Sequence, residues 1–134
     1  MAEKYIKNIP HEEIVDLAAL VNVQEGQVVS KTLAQNDALS ITVFAFDKNE
    51  EIGTHGSTGD AMVTVLEGEG KFTVDGIEYF LSKGETLVMP ANKPHAVFAK
   101  EAFKMLPWQI LRGAYLQASP VSRPCSRNIR CRQP

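Results

Sequence analysis

The chain has 134 residues, a formal net charge of -2, 44% hydrophobic and 22% charged residues, and only nine glycines and seven prolines. This is the size and balance of one globular domain around one core; it excludes a collagen-like or wholly disordered chain and leaves no room for a catalytic domain plus a regulatory one. No apolar run approaches the ~20 residues that cross a bilayer, and the start Met1-Ala2-Glu3-Lys4-Tyr5 lacks the basic region and apolar stretch of a secretory leader. The expectation is a cytoplasmic protein with no membrane partner.

Residues 1–26 read as a helical arm. After Pro10, residues Ile14, Leu17, Ala18 and Val21 recur at helical spacing, and Glu12 and Glu13 stand in the first turn, where a helix dipole favours acids. One short helix is expected there, with His11 a solvated surface residue. From 27 to 106 the pattern changes to short runs rich in Val, Ile, Thr and Phe, at 27–34, 38–46, 61–67, 70–75, 77–82, 86–90 and 95–99, punctuated by Gly, Asn and Asp. So many short strands predict an all-β sandwich or barrel. Between Lys71-Phe72-Thr73-Val74 and Ile77-Glu78-Tyr79-Phe80 stands Asp75-Gly76, which tolerates the positive φ angles of a two-residue hairpin turn. In the run Leu39–Phe46, Leu39, Ile41, Val43 and Ala45 share one face while Ser40, Thr42, Phe44 and Phe46 share the other. Whichever of these looks outward is partly apolar, and covering it predicts a homodimer through Val43 or Phe44.

Phe103-Lys104-Met105-Leu106 begins a further strand, which Pro107 is expected to end because proline removes a ladder donor. The charge then changes character. All nine Lys and all sixteen acids lie at or before Lys104, leaving -7 over residues 1–104, whereas all five Arg lie between Arg112 and Arg132. The segment 107–134 therefore reads as a basic, Arg- and Pro-rich tail, flexible or non-native. Its Cys125 and Cys131 have no paired histidine and form no zinc motif. Trp108, Tyr115 and the arginines make no aromatic-basic stripe, so no nucleic-acid partner is expected.

Two segments carry a family resemblance. Gly53-Thr54-His55-Gly56-Ser57-Thr58-Gly59-Asp60-Ala61, continuing to Gly68, and Gly84-Glu85-Thr86-Leu87-Val88-Met89-Pro90-Ala91-Asn92-Lys93-Pro94-His95 resemble the two motifs of the cupin superfamily. His55, Gly68, Gly84, Pro90 and His95 match. Asn49, Ser57 and Ala61 stand where the first motif has Gly, its second His and Glu; Asn92 and Ala99 replace the second motif's Gly and Asn. Asn92 is a mild departure, since Asn visits left-handed backbone readily. The fifteen residues between Gly68 and Gly84 match the spacing of small single-domain cupins. The resemblance implies a small antiparallel double-stranded β-helix, or jelly-roll barrel, over residues 27–106, with the motif residues facing an internal pocket.

It also implies a metal in many members, commonly iron, manganese, nickel or zinc, held by three His and one Glu. Only His55 and His95 remain of those ligands. Asp60 is the natural third candidate, one residue from the Glu position; on a regular strand it would point away, so it needs a bulge near Thr58-Gly59 to re-aim it. Ser57 suits hydrogen bonding to a substrate or a metal-bound water, and Ala61, Met62 and Met89 are the other pocket candidates. Three functions stay open: a metal-dependent enzyme of dioxygenase or isomerase type, a metal-free module that binds a small molecule, and a metal-free acid-base sugar isomerase. The loss of two family ligands favours the binding module.

Overall fold

The computed structural model describes residues 5–111. Among these residues nine strands form two antiparallel sheets, and the expected all-β architecture is present. The strands are β1 (Val28–Gln35), β2 (Leu39–Phe46), β3 (Glu51–His55), β4 (Asp60–Glu67), β5 (Glu69–Val74), β6 (Ile77–Ser82), β7 (Thr86–Met89), β8 (His95–Phe98) and β9 (Phe103–Ile110). One sheet has the order β1-β2-β9-β4-β7 and the other β3-β8-β5-β6. This is the double-stranded β-helix. The β5–β6 turn is the expected two-residue type, with Asp75 at φ 52° and Gly76 at φ 84° between the paired Val74 and Ile77. β3 was not legible beforehand, because Glu51-Ile52-Gly53-Thr54-His55 has one apolar residue and no alternation.

Alternation along each strand fills the interior from both sheets. Phe46, Phe72 and Phe103 are wholly buried; Phe46 stacks on Phe103 at 4.8 Å between ring centroids, and Phe72 meets Phe103 edge-on at 6.0 Å. Gly70 permits this packing, since a Cβ there would lie 2.5 Å from the Phe103 ring.

The N-terminal arm is not the helix its spacing suggested. It contains a single 3-10 turn, Leu17–Leu20, whose cap Asp16 accepts a hydrogen bond from the Ala18 amide at 3.1 Å. Ile14 points wholly into solvent. Glu12 adopts φ 62°, which a helix interior does not accommodate, and the arm instead lies along the outer face of the larger sheet. There Ala18 is buried, and Val21 joins Leu33, Val43, Ala45 and Leu106 in a second apolar cluster edged by Ile9, Leu17 and Leu20. The buried Lys104 ties the two layers: its ammonium donates to the Ala18 carbonyl at 2.7 Å and pairs with Glu67 at 3.4 Å. His11 is exposed, with Nε2 2.8 Å from the Ile6 carbonyl.

This arrangement corrects the reading of β2. Val43 and Ala45 do face outward, but the chain's own arm covers them, while Phe44 and Phe46 face the interior. Neither Val43 nor Phe44 is available to a second subunit.

The barrel also runs past its expected end at Leu106. β9 continues through Pro107 to Ile110 in the middle of its sheet, between β2 and β4. Toward β4 its pairing runs without a gap from Met105 to Ile110, with Val63 opposite Pro107. Toward β2 pairing lapses between Ile41–Trp108 and Phe44–Met105. Both missing pairs depend on an N–H from residue 107 reaching the Thr42 carbonyl, and proline has none. The strand survives because Pro107 presents that defect to one neighbour only. The segment from Arg112 onward, with Cys125 and Cys131, lies outside the described residues, as do residues 1–4. Among the described residues no helix is long and apolar enough to cross a membrane.

Candidate functional site

His95 opens β8 directly after Pro94, and His55 closes β3; the two are cross-strand partners. In a regular ladder the pairs Glu51–Phe98 and Ile52–Val97 would place Thr54 opposite His95. A register shift between Ile52 and His55 puts His55 there instead, on the same inner face as His95 and Val97. A bulge therefore does re-aim a motif residue, but it acts on His55 rather than on Asp60. The two imidazole rings meet edge to face at 4.3 Å between centroids.

His95 is buried at 3% exposure, whereas His55 is exposed. Each Nδ1 lies against a backbone carbonyl, His55 against Gly53 at 3.0 Å and His95 against Lys93 at 3.3 Å. A carbonyl only accepts, so each Nδ1 carries a proton, and in the neutral form of either ring the lone pair lies on Nε2. Burial lowers the His95 pKa below its ordinary 6.5, the neighbouring His55 lowers it further, and the Lys93 carbonyl opposes both. His95 is thereby held neutral.

The expected third ligand is elsewhere. Asp60 opens β4 on the outward side, and its Oδ1 accepts a hydrogen bond from the Ala91 amide at 2.8 Å. The inward position belongs to its neighbour Ala61, as strand alternation requires. The Ser57 hydroxyl donates to the Gly59 carbonyl at 2.7 Å, and the Ser57 carbonyl accepts from Asn92 N at 2.8 Å. Asp60 and Ser57 therefore clamp the loop before His95 to the loop after His55. Asn92 has φ 64° and Asn49 has φ 72°, so both asparagines hold the left-handed backbone for which the family motif uses glycine. Ala61 and Met89 are cross-strand partners, both buried on the inner face. Met62 is not a pocket residue; it lies on the outer face, 42% exposed.

The opposite wall holds polar residues that the sequence reading missed. Cross-strand partners share a face, so the row through Ala61 and Met89 continues to Gln109 and Ser40. Thr42, between the inward Ser40 and Phe44, faces the same way and lies 3.5 Å from the Thr32 hydroxyl. Ser40, Thr42 and Gln109 are half-buried. Short loops join this end of the larger sheet to the histidines: 56–59 leads from His55 to Asp60, and 90–94 leads from Met89 to His95. The barrel thus has an aromatic end around Phe46, Phe72 and Phe103, and a polar end with His55, His95, Ser40, Thr42 and Gln109. Gln109 escaped notice because the strand seemed to stop at Pro107; Ser40 and Thr42 had no sequence signal beyond alternation.

A model of the cupin domain matches residues 42–107. The chain is similar to a conserved protein of unknown function from Streptococcus pyogenes, 47% identical, with 83% of this chain and 97% of that one covered at a TM-score of 0.81. It is also similar to a cupin superfamily protein from Desulfitobacterium hafniense, 36% identical, covering 79% and 97% at a TM-score of 0.76. A salicylate 1,2-dioxygenase from Pseudoaminobacter salicylatoxidans, 19% identical over 62% of this chain and 25% of that one at a TM-score of 0.58, shares the fold alone. No curated protein matches the chain. The chain belongs to the cupin superfamily, as a small single-domain member.

Many cupins hold a transition metal, and the donor set can be tested against one. Among the described residues no three His, Cys, Asp or Glu side chains lie close enough to share an ion. Two imidazoles remain, while Asp60 and Ser57 are committed to backbone partners. A stable first-row site ordinarily takes three protein ligands, so this set does not fit a resident metal.

Proposed function

We propose that this cytoplasmic cupin is a binding module for a compact polar molecule, held at the polar end of the barrel by hydrogen bonds rather than through a metal. The observation that carries this reading is the composition of the inner wall there: two imidazoles, two hydroxyls and one carboxamide, with no charged side chain among them. Such a wall offers donors and acceptors to hydroxyl, carbonyl or amide groups, and it places no full charge opposite the ligand. The lone pair on His95 Nε2 makes it an acceptor for a ligand hydroxyl or N–H, and Gln109 supplies both a donor and an acceptor from the facing sheet. The buried Ala61 and Met89 give the same region an apolar floor. Among the described residues no carboxylate or thiol joins the two histidines in a cluster of three, so binding accounts for the arrangement without a chemical step.

The test is ligand-observed NMR on untagged protein with monosaccharides, polyols and lactams, alongside dicarboxylates and amines. Binding is expected among the neutral compounds and should weaken at least tenfold in Gln109→Leu and His95→Phe. Stoichiometric metal in the purified protein, lost in His55→Ala, would overturn the reading. So would binding confined to charged compounds.

A further inference from the structure

The arm pairs with the outer edge of β1 for only two residues. The Lys7 amide donates to the Leu33 carbonyl at 2.7 Å, and Asn8 Nδ2 donates to the Thr32 carbonyl at 2.7 Å. Beyond these bonds Asn8 turns at φ 64° toward the outer face of the sheet; before them the chain bends at Tyr5 and Ile6 and leaves the strand. Between arm and strand a cleft of about 490 Å³ remains, with Tyr5 and Lys7 on one wall and Leu33, Ala34, Gln35 and Asn36 on the other.

The polar groups around this cleft are mostly donors. Asn36 N–H bonds across to the Leu39 carbonyl at 2.9 Å, and neighbouring residues of an antiparallel ladder turn their amides the opposite way, so Gln35 N–H faces the cleft. The side-chain oxygen of Asn36 accepts from the Ala38 and Leu39 amides at 2.7 and 3.0 Å, which leaves its NH2 group to donate. Lys7 supplies an ammonium. Among the described residues no carboxylate pairs with it, and no lining residue is acidic. We infer that this cleft binds a small organic carboxylate. Two anionic oxygens accept from several donors at once, and only an anion draws on the Lys7 charge. The carbon body lies along Tyr5, which is 80% exposed, with Leu33 and Ala34 behind it. The cleft borders the polar wall of the barrel, since Gln35 pairs with Ser40 and Thr32 with Thr42. The two differ in chemistry: the wall carries no charge, and the cleft carries one and needs nothing from the histidines.

Benzoate is the probe, with benzamide as the uncharged control and sodium chloride as the inorganic one. Titrated into the full chain, benzoate should shift the backbone amide signals of residues 33–36 to saturation in the millimolar range, with Gln35 N–H moving furthest downfield as it takes an oxygen. Lys7→Gln removes an exposed charge and should weaken binding roughly fivefold. Asn36→Asp keeps the oxygen that holds the Ala38 and Leu39 amides but replaces the donor with a negative charge; it should weaken binding roughly tenfold or more without lowering the melting temperature. Gln109→Leu, which disables the neutral-ligand wall, should leave benzoate affinity unchanged. Equal shifts from benzamide or from chloride would overturn the inference, as would an affinity unchanged in both Lys7→Gln and Asn36→Asp. Saturating shifts centred on Ala61 and Gln109, lost in Gln109→Leu, would place the carboxylate at the polar end of the barrel and overturn it too.

Discussion

Replacing Pro107 with valine should stabilise the protein. In the present chain the Thr42 carbonyl on β2 lacks the ladder donor that residue 107 would supply, and two successive pairs are missing from the β2–β9 ladder as a result. Pro107→Val restores an N–H aimed at that carbonyl. Satisfying that otherwise orphaned, half-buried acceptor contributes about 1–3 kcal/mol. Against this, the unfolded chain becomes more flexible without proline, at a cost of about 0.4–1 kcal/mol. Valine is β-branched, close to proline in volume, and would sit opposite Val63 on the half-buried inner face, so no new strain arises. The net gain is about 1–2 kcal/mol, which for a folded body of this size raises the melting temperature by about 5–10 °C. Thermal and urea denaturation at fixed protein concentration measure it, and hydrogen exchange of the new amide reports whether the bond has formed. An unchanged or lowered melting temperature, or an amide at position 107 that exchanges as fast as an exposed one, would show that the ladder gap has another cause.

Two further outcomes follow from the site and its supports. Because the folded-state pKa of His95 lies below the 6.5 of an unconstrained imidazole, the unfolded chain takes up that proton more readily; stability from this residue is complete above pH 6.5 and declines as pH falls from there toward the folded value. The acid-side slope of melting temperature against pH should flatten in His95→Gln, and a slope unchanged by the substitution would contradict the assigned cause. Gly59→Ala should be strongly destabilising, by about 2 kcal/mol or more, because a Cβ there would run into the Ile110 carbonyl at the end of β9; a melting temperature within 2 °C of the parent would refute the close approach.

The strands were legible where period-two alternation was strong, and the Asp75-Gly76 turn fixed one hairpin outright. β3 was invisible because its role is to carry His55 rather than to bury a face, and only Ile52 signals a strand. The histidine pair could be read from motif spacing, but the bulge that turns His55 inward depends on how two distant segments pair. Asp60 stood one residue from the motif's Glu position and Ser57 at its second His position, yet nearby amides and carbonyls claimed their polar groups, a competition that spacing does not reveal. The polar wall of Ser40, Thr42 and Gln109 required the cross-strand register. The arm misled for a related reason: Leu17, Ala18 and Val21 are apolar because they cover Val43 and Leu106, and a single 3-10 turn achieves this as well as a longer helix would.

The placement of β9 governs how the protein can be made. β9 is the last described strand in the chain, yet it lies between β2 and β4, so the larger sheet has no continuity until Phe103–Ile110 has been synthesised. As the chain leaves the ribosome, β1–β2 and β4–β7 remain two separate ribbons, each with an open edge and bare apolar residues, while the β5–β6 hairpin can close on its own. Completion waits on contacts such as Phe46 with Phe103, nearly half the chain apart, and the floor on which the arm settles lacks Leu106 until then. The nascent protein therefore carries exposed strand edges for almost the whole of its synthesis, and a ribosome that stopped at Leu106 would release a polypeptide unable to close its barrel.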